Sequence, residues 1–197
     1  MKISVLASAI IVSASAAFAG GPIYVPPPVI PLAAPVQQWT GPYAGLQLGF
    51  GQGEMVSQGG VELSGIVYGA HVGYNYDLGS IVLSAEADYN LADINGIFDG
   101  TAVIKTLAHL KARVGYDLGQ TLIYGTGGLA YAEMDLFNGS STYSGKGYFA
   151  GLGVDHKIAA DWTAGAEYLY HQFEDLGGAA FLDINLHTVQ ARVSYHF

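Results

Sequence analysis

From about residue 42 onward the chain alternates. In IVLSAEADYNL, Ile81, Leu83, Ala85, Ala87, Tyr89 and Leu91 share one side, with Ser84, Glu86, Asp88 and Asn90 on the other. AHLKARVGY sets Ala108, Leu110, Ala112, Val114 and Tyr116 against His109, Lys111, Arg113 and Gly115. From Gly147, Ala150, Leu152 and Val154 oppose Gly151, Gly153, Asp155 and Lys157. In WTAGAEYLY, Trp162, Ala164, Ala166, Tyr168 and Tyr170 oppose Glu167, and the last segment sets Ala191, Val193, Tyr195 and Phe197 against Arg192, Ser194 and His196. Period two is the pattern of β-strands, whose successive side chains point to opposite faces. Thr121–Glu133 is a strand by position, but Gly125, Gly127 and Gly128 blur its phase and suggest a bulge, so its faces stay unassigned.

Turn markers recur at intervals of about forty residues, with Asp77 in GYNYDLGS, Asp117 in GYDLGQ and Asp161 in IAADW. Four hairpin-sized units, each of two strands around a Gly, Asn, Ser and Asp-rich stretch such as Asn138–Gly147, predict eight strands. Propeller blades have a similar period but shorter strands. The alternating segments here run about 10–14 residues, enough to cross a bilayer at a tilt.

In a soluble sandwich the charged face would meet water. Here the charges of these alternating segments all fall on the glycine-rich face (Gly45, Gly49, Gly69, Gly73, Gly151, Gly153, Gly165), while the opposite face is broad, apolar and rich in tyrosine. The inverted arrangement fits better. Apolar residues face lipid, tyrosines form interfacial girdles, and small and polar residues line a narrow interior. Only a closed barrel satisfies strand backbones in lipid. The predicted fold is all-β: an eight-stranded antiparallel transmembrane β-barrel.

What precedes the barrel changes the picture of where it resides. Met1–Ala19 has a basic start at Lys2, an apolar stretch and an Ala17-Phe18-Ala19 ending, which predicts a secretory signal peptide cleaved before Gly20. Residues 20–41 carry Pro22, Pro26, Pro27, Pro28, Pro31 and Pro35 and predict an extended tether, leaving 42–197 as the barrel domain. The chain is 51% hydrophobic, 12% charged, rich in glycine (28) and tyrosine (14), and carries a formal charge of −9, one more negative without Lys2. That balance argues against a nucleic-acid partner. With no cysteine, disulfides and thiolate sites are excluded.

Three stretches together resemble the opacity-like small outer-membrane β-barrel proteins of Gram-negative bacteria, a porin-type family related in architecture to the OmpA and OmpX barrels. They are WTGPYAGLQLGFG after the proline-rich leader, GAEYLYHQFEDLG near the end and the closing ARVSYHF. The resemblance covers Trp39 to Phe197. It implies an outer-membrane location, with the tether in the periplasm and Asp77, Asp117 and Asp161 in periplasmic turns. It implies that a terminal aromatic strand, matched here by Tyr195 and Phe197, is read by the outer-membrane assembly machinery. The last strand should close the barrel against the first, around Tyr43–Phe50.

The candidate site is a lumen charge network of Glu86, Asp88, Lys111, Arg113, Asp155, Lys157, Glu167 and Arg192, four acids and four bases. Glu86 and Asp88 are expected to pair with Lys111 and Arg113, and Arg192 with Glu167. A lipid-modifying enzyme would need a Ser, His and acid set. His187 falls on the lipid-facing phase, Ser140, Ser141 and Ser144 read as loop, and no spacing joins them, so no catalytic residue is assigned. His71, His109, His171 and His196 are lumen-phase on different strands and read as a hydrogen-bonded interior, with no metal or cofactor called; lipid-phase His156 sits near a turn. Glu54, Glu62, Asp93, Asp99, Glu133, Asp135, Glu174, Asp175 and Asp183, offset only by Lys105 and Lys146, make the opposite end acidic. Divalent cations bridging it to lipopolysaccharide phosphates are one reading, solvation the other. The role expected is structural or surface-interacting with a largely plugged lumen, the alternative being a narrow channel for small solutes or ions.

Overall fold

The computed structural model describes residues 39–55, 61–96, 102–136, 141–173 and 184–197. The leader and most of the tether lie outside them. The eight strands are β1 (Gly41–Met55), β2 (Val61–Asp77), β3 (Ile81–Gly96), β4 (Ala102–Asp117), β5 (Thr121–Leu136), β6 (Ser141–Lys157), β7 (Trp162–Phe173) and β8 (Ile184–His196). Each pairs antiparallel with the next, and β8 closes on β1 with Tyr43 opposite His196 and Phe50 opposite Val189.

Local chemistry sets the turns. In two of them Asp77 and Asp117 accept the main-chain N–H two residues on, from Gly79 and Gly119 at 2.7 Å. Those glycines have φ of +103° and +86°, a left-handed conformation that side chains resist. These connections and the one at 158–161 gather at one end of the barrel, the turn end; the other is the loop end.

The strand with the blurred phase is regular. Along β5, Leu122, Tyr124, Thr126, Ala130, Ala132 and Met134 are buried inward, and its register with β6 runs unbroken. The irregularity lies elsewhere: Ala92 and Asp93 of β3 face the single Lys105 of β4, which is also an extra residue against β5. Nor is 138–147 all loop. Ser144, exposed, is already within β6, Ser141 begins that strand, and Ser140 lies outside the described residues.

The strands are 12–17 residues long, more than the roughly 9–11 that span a bilayer. The surplus projects at the loop end. Outward-facing Leu46, Leu48, Phe50, Val72, Leu110, Leu152 and Val193 form an apolar belt. It lies between a lower aromatic ring (Tyr74, Tyr76, Tyr116, Trp162) and an upper one (Tyr68, Tyr89, Tyr131, Tyr148, Tyr168). From Tyr76 to Tyr68 a strand tilted by about 40° climbs roughly 20 Å, close to the height of a membrane-barrel belt. Beyond the upper ring the outward residues change to Glu54, Glu62, Asp93, Lys105, Glu133, Asp135 and Lys146. These strand charges point away from the lumen, correcting the expectation that strand charges share the inner face. Asp99, Glu174, Asp175 and Asp183 lie outside the described residues.

Candidate functional site in the barrel interior

Eight strands enclose a space that side chains fill. The glycines on the inner wall make room for them. A Cβ on Gly153 would lie 2.3 Å from the Tyr124 ring, one on Gly73 2.5 Å from the Tyr43 ring and one on Gly165 2.2 Å from Asp155. Long polar side chains therefore lie flat across neighbouring strands and reach the axis.

There they build one ionic cluster. Glu86 Oε2 accepts from Tyr43 Oη at 2.7 Å, Arg113 Nη1 at 2.9 Å and Arg192 Nη2 at 2.5 Å. Lys111 Nζ stands 3.2 Å from Glu86 Oε1 and 2.8 Å from Asp88 Oδ2, and donates to Glu167. Arg192 Nη1 donates to the other Glu167 oxygen at 3.0 Å, and Tyr124 Oη donates to that same oxygen at 3.2 Å. Arg113 donates to Asp155 at 2.5 Å, and its guanidinium stacks 3.6 Å from the Tyr124 ring centroid. All seven charges are buried.

The pairings read from adjacent strands are present: Glu86 and Asp88 with Lys111, Glu86 with Arg113, and Glu167 with Arg192. The cross-lumen ones, Lys111 to Glu167 and Arg192 to Glu86, join strands that are not neighbours and carry no local sequence mark. The eighth residue departs from expectation. Lys157 has the lumen phase but sits at the turn-end mouth, its ammonium 4.6 Å from the Trp39 ring centroid. Trp39 is buried there; its main-chain N–H donates to Asp77 at 3.2 Å and its indole N–H to Asp117 at 3.0 Å. It closes the mouth that a lumen lysine would have shared.

Toward the loop end the filling changes character. Leu63, Ile94, Ile104, Leu107, Met134, Leu169, Phe173, Ile184 and Leu186 form an apolar plug, with Phe149 at its base. Between the two layers, Thr126, Thr188 and the Gln190 amide are buried without a protein partner for their side-chain polar atoms.

The histidines divide. His109 and His171 meet at 2.9 Å under Phe149, His109 also touching Asp88 at 2.7 Å. His71 shares a 2.8 Å hydrogen bond with Ser194, and His196 stacks on Tyr43 at the mouth. His187 is on the outer face, bonded to Tyr168 Oη at 2.7 Å, and His156 lies outward at the turn end beside Thr121. No described serine joins His187 and an acid. Tyr195 packs edge-on against Trp162 and Phe197, and Phe197 N–H donates to Pro42 O at 3.1 Å with its ring 75% exposed.

Comparison with known proteins agrees with this architecture. The family model for the outer membrane protein beta-barrel domain matches residues 4–197. The 25 kDa outer-membrane immunogenic protein of Brucella canis is 31% identical over all of this chain and 99% of its own length. The 22 kDa outer membrane protein of Rhizobium leguminosarum bv. viciae is 29% identical over 75% of this chain and 72% of its own. Among solved structures, Neisserial surface protein A (NspA) superposes with a TM-score of 0.60 at 14% identity, over 80% of this chain and 98% of that one. The attachment invasion locus protein Ail of Yersinia pestis gives 0.53, also at 14% identity, over 80% and 99%. At such identities those two likenesses speak for the fold alone. A closed eight-stranded barrel with an apolar belt, matched over its whole length by outer-membrane proteins, belongs to the outer membrane protein beta-barrel domain family and resides in the bacterial outer membrane.

Proposed function

We propose that this protein is a non-catalytic, non-conducting barrel with a structural, envelope-integrity or surface-interaction role. One observation carries the reading: the interior is filled twice along its axis, by the ionic cluster and by the apolar plug, and Trp39 occupies the turn-end mouth. An open aqueous lumen needs about twice as many strands. Short turns in such barrels lie in the periplasm and longer loops outside the cell. On that rule the tether enters from the periplasm, and the acidic outer wall stands at the level of lipopolysaccharide, where divalent cations bridge carboxylates to phosphates. That relatives are named immunogenic agrees with an exposed loop end. Tyr195 and Phe197 are the residues the assembly machinery reads. The test is planar-bilayer conductance of the refolded chain. Electrical silence is the expected result; a large, steady pore overturns the proposal in favour of a solute channel.

A further inference from the structure

The buried cluster holds four carboxylates, Glu86, Asp88, Asp155 and Glu167, but three side chains that are cationic by nature, Lys111, Arg113 and Arg192. With Lys157 at the mouth, the interior is one positive charge short. The hydrogen bonds around His109 supply it.

His171 Nδ1 lies 3.1 Å from the Leu186 carbonyl oxygen, which only accepts, so Nδ1 carries a hydrogen. The Nε2 of a neutral His171 is then an acceptor. His109 Nε2, 2.9 Å away, must donate to it. At its other nitrogen, 2.7 Å from Asp88 Oδ1, His109 faces a carboxylate that accepts when ionised. Both ring nitrogens of His109 then bear hydrogen. Sliding the proton along the bond to Asp88, or across to His171, leaves the count unchanged. Every arrangement that satisfies the three contacts holds one proton more than an ionised Asp88 beside two neutral imidazoles.

We propose that Asp88, His109 and His171 form a built proton-binding site whose single proton completes the charge balance of the barrel interior. Its surroundings are suited to retaining it. β3 contributes Asp88 and Asn90, which donates to Asp88 at 2.7 Å. From β4 comes Lys111, shared among Asp88, Glu86 and Glu167. β5 offers Ala130 opposite His109, and β8 the Leu186 carbonyl. The Phe149 ring of β6 covers both imidazoles at 5.1 and 5.7 Å, and Phe173 of β7 stacks on His171 at 6.1 Å, closing the site toward the loop end. An uncompensated charge in such a place is far costlier than in water. The site stands whether or not the barrel conducts.

The refolded full chain, labelled with nitrogen-15 in histidine and carbon-13 in aspartate, is read by NMR in detergent at pH 7.5. A doubly protonated ring at His109 or His171, or a protonated Asp88 carboxyl, supports the site. Two neutral rings beside an ionised Asp88 overturn it. Charge-count variants give a second reading. His109→Gln leaves the acid in excess and lowers the urea midpoint; adding Asp88→Asn removes that excess and raises the midpoint again, although it deletes a further contact. A double variant less stable than His109→Gln refutes the balance.

Discussion

Below the upper tyrosine ring the barrel wall is apolar outside and charged inside; above it the wall is charged outside and apolar inside. Leu110 faces out where Lys111 faces in, whereas a few residues earlier on the same strand Lys105 faces out and Ile104 in. One chain thus follows two rules, and the outer solvent decides which. Where hydrocarbon surrounds the wall, moving an apolar side chain inward gains no hydrophobic free energy, and the interior is held by hydrogen bonds and ion pairs. Where the wall projects into water, burying Ile94, Ile104 and Ile184 is favourable as in any soluble core.

The largest expected effect attacks the polar half. Glu86→Ala strands Lys111, Arg113 and Arg192 with one carboxylate fewer and should cost about 3–5 kcal/mol, read by urea unfolding of the refolded barrel in detergent. Leu63→Ala, in the apolar half and away from the histidine pair, should cost about 3 kcal/mol through lost burial and a cavity, without unbalancing any charge. Its loss should be insensitive to pH between 5 and 8, an outcome that separates the two halves.

The outer face sharpens the comparison further. Leu110→Arg, mid-belt, should destabilise by about 2–4 kcal/mol in lipid vesicles, whereas Glu62→Arg, on the projecting wall, should stay within about 0.5 kcal/mol. Equal penalties at both positions would place the lipid boundary wrongly. The smallest effect lies between the layers. Thr188→Val removes a buried hydroxyl that has no protein partner while keeping its shape, and should leave the unfolding midpoint unchanged or slightly higher.

Much of this was legible in the residues. Alternation assigned the faces of β3, β4 and the membrane part of β6–β8, and the Asp-Leu-Gly steps located two turns. Glu86 and Lys111 were paired correctly because they face each other in register. The apolar plug was missed, though a sign of it was present. Ile94 beside Asp93 and Ile104 beside Lys105 alternate with the polarity reversed, but on β4 the bulge at Lys105 breaks the phase, with Thr106 and Leu107 both buried, and those charges read as loop. Trp39 was missed as a mouth residue because a single tryptophan after a proline-rich stretch has no period. Lys157 has the same phase as Asp155 but stands two residues nearer the turn, and phase alone carries no depth.

The sequence by itself determined what depends on neighbours along the chain: strand number, turn sites, the membrane-facing residues of the strands with a clear phase, and the inward phase, though not the depth, of the acids and bases. Tertiary closure decided what depends on distance across the lumen. Lys111 meets Glu167, Arg192 meets Glu86, and His109 meets His171 only because eight tilted strands join in one register and bring opposite walls within a side chain's reach. A strand's two faces follow from its own backbone geometry; which residues share an interior, and how many charges they must balance there, is settled when the last strand closes on the first.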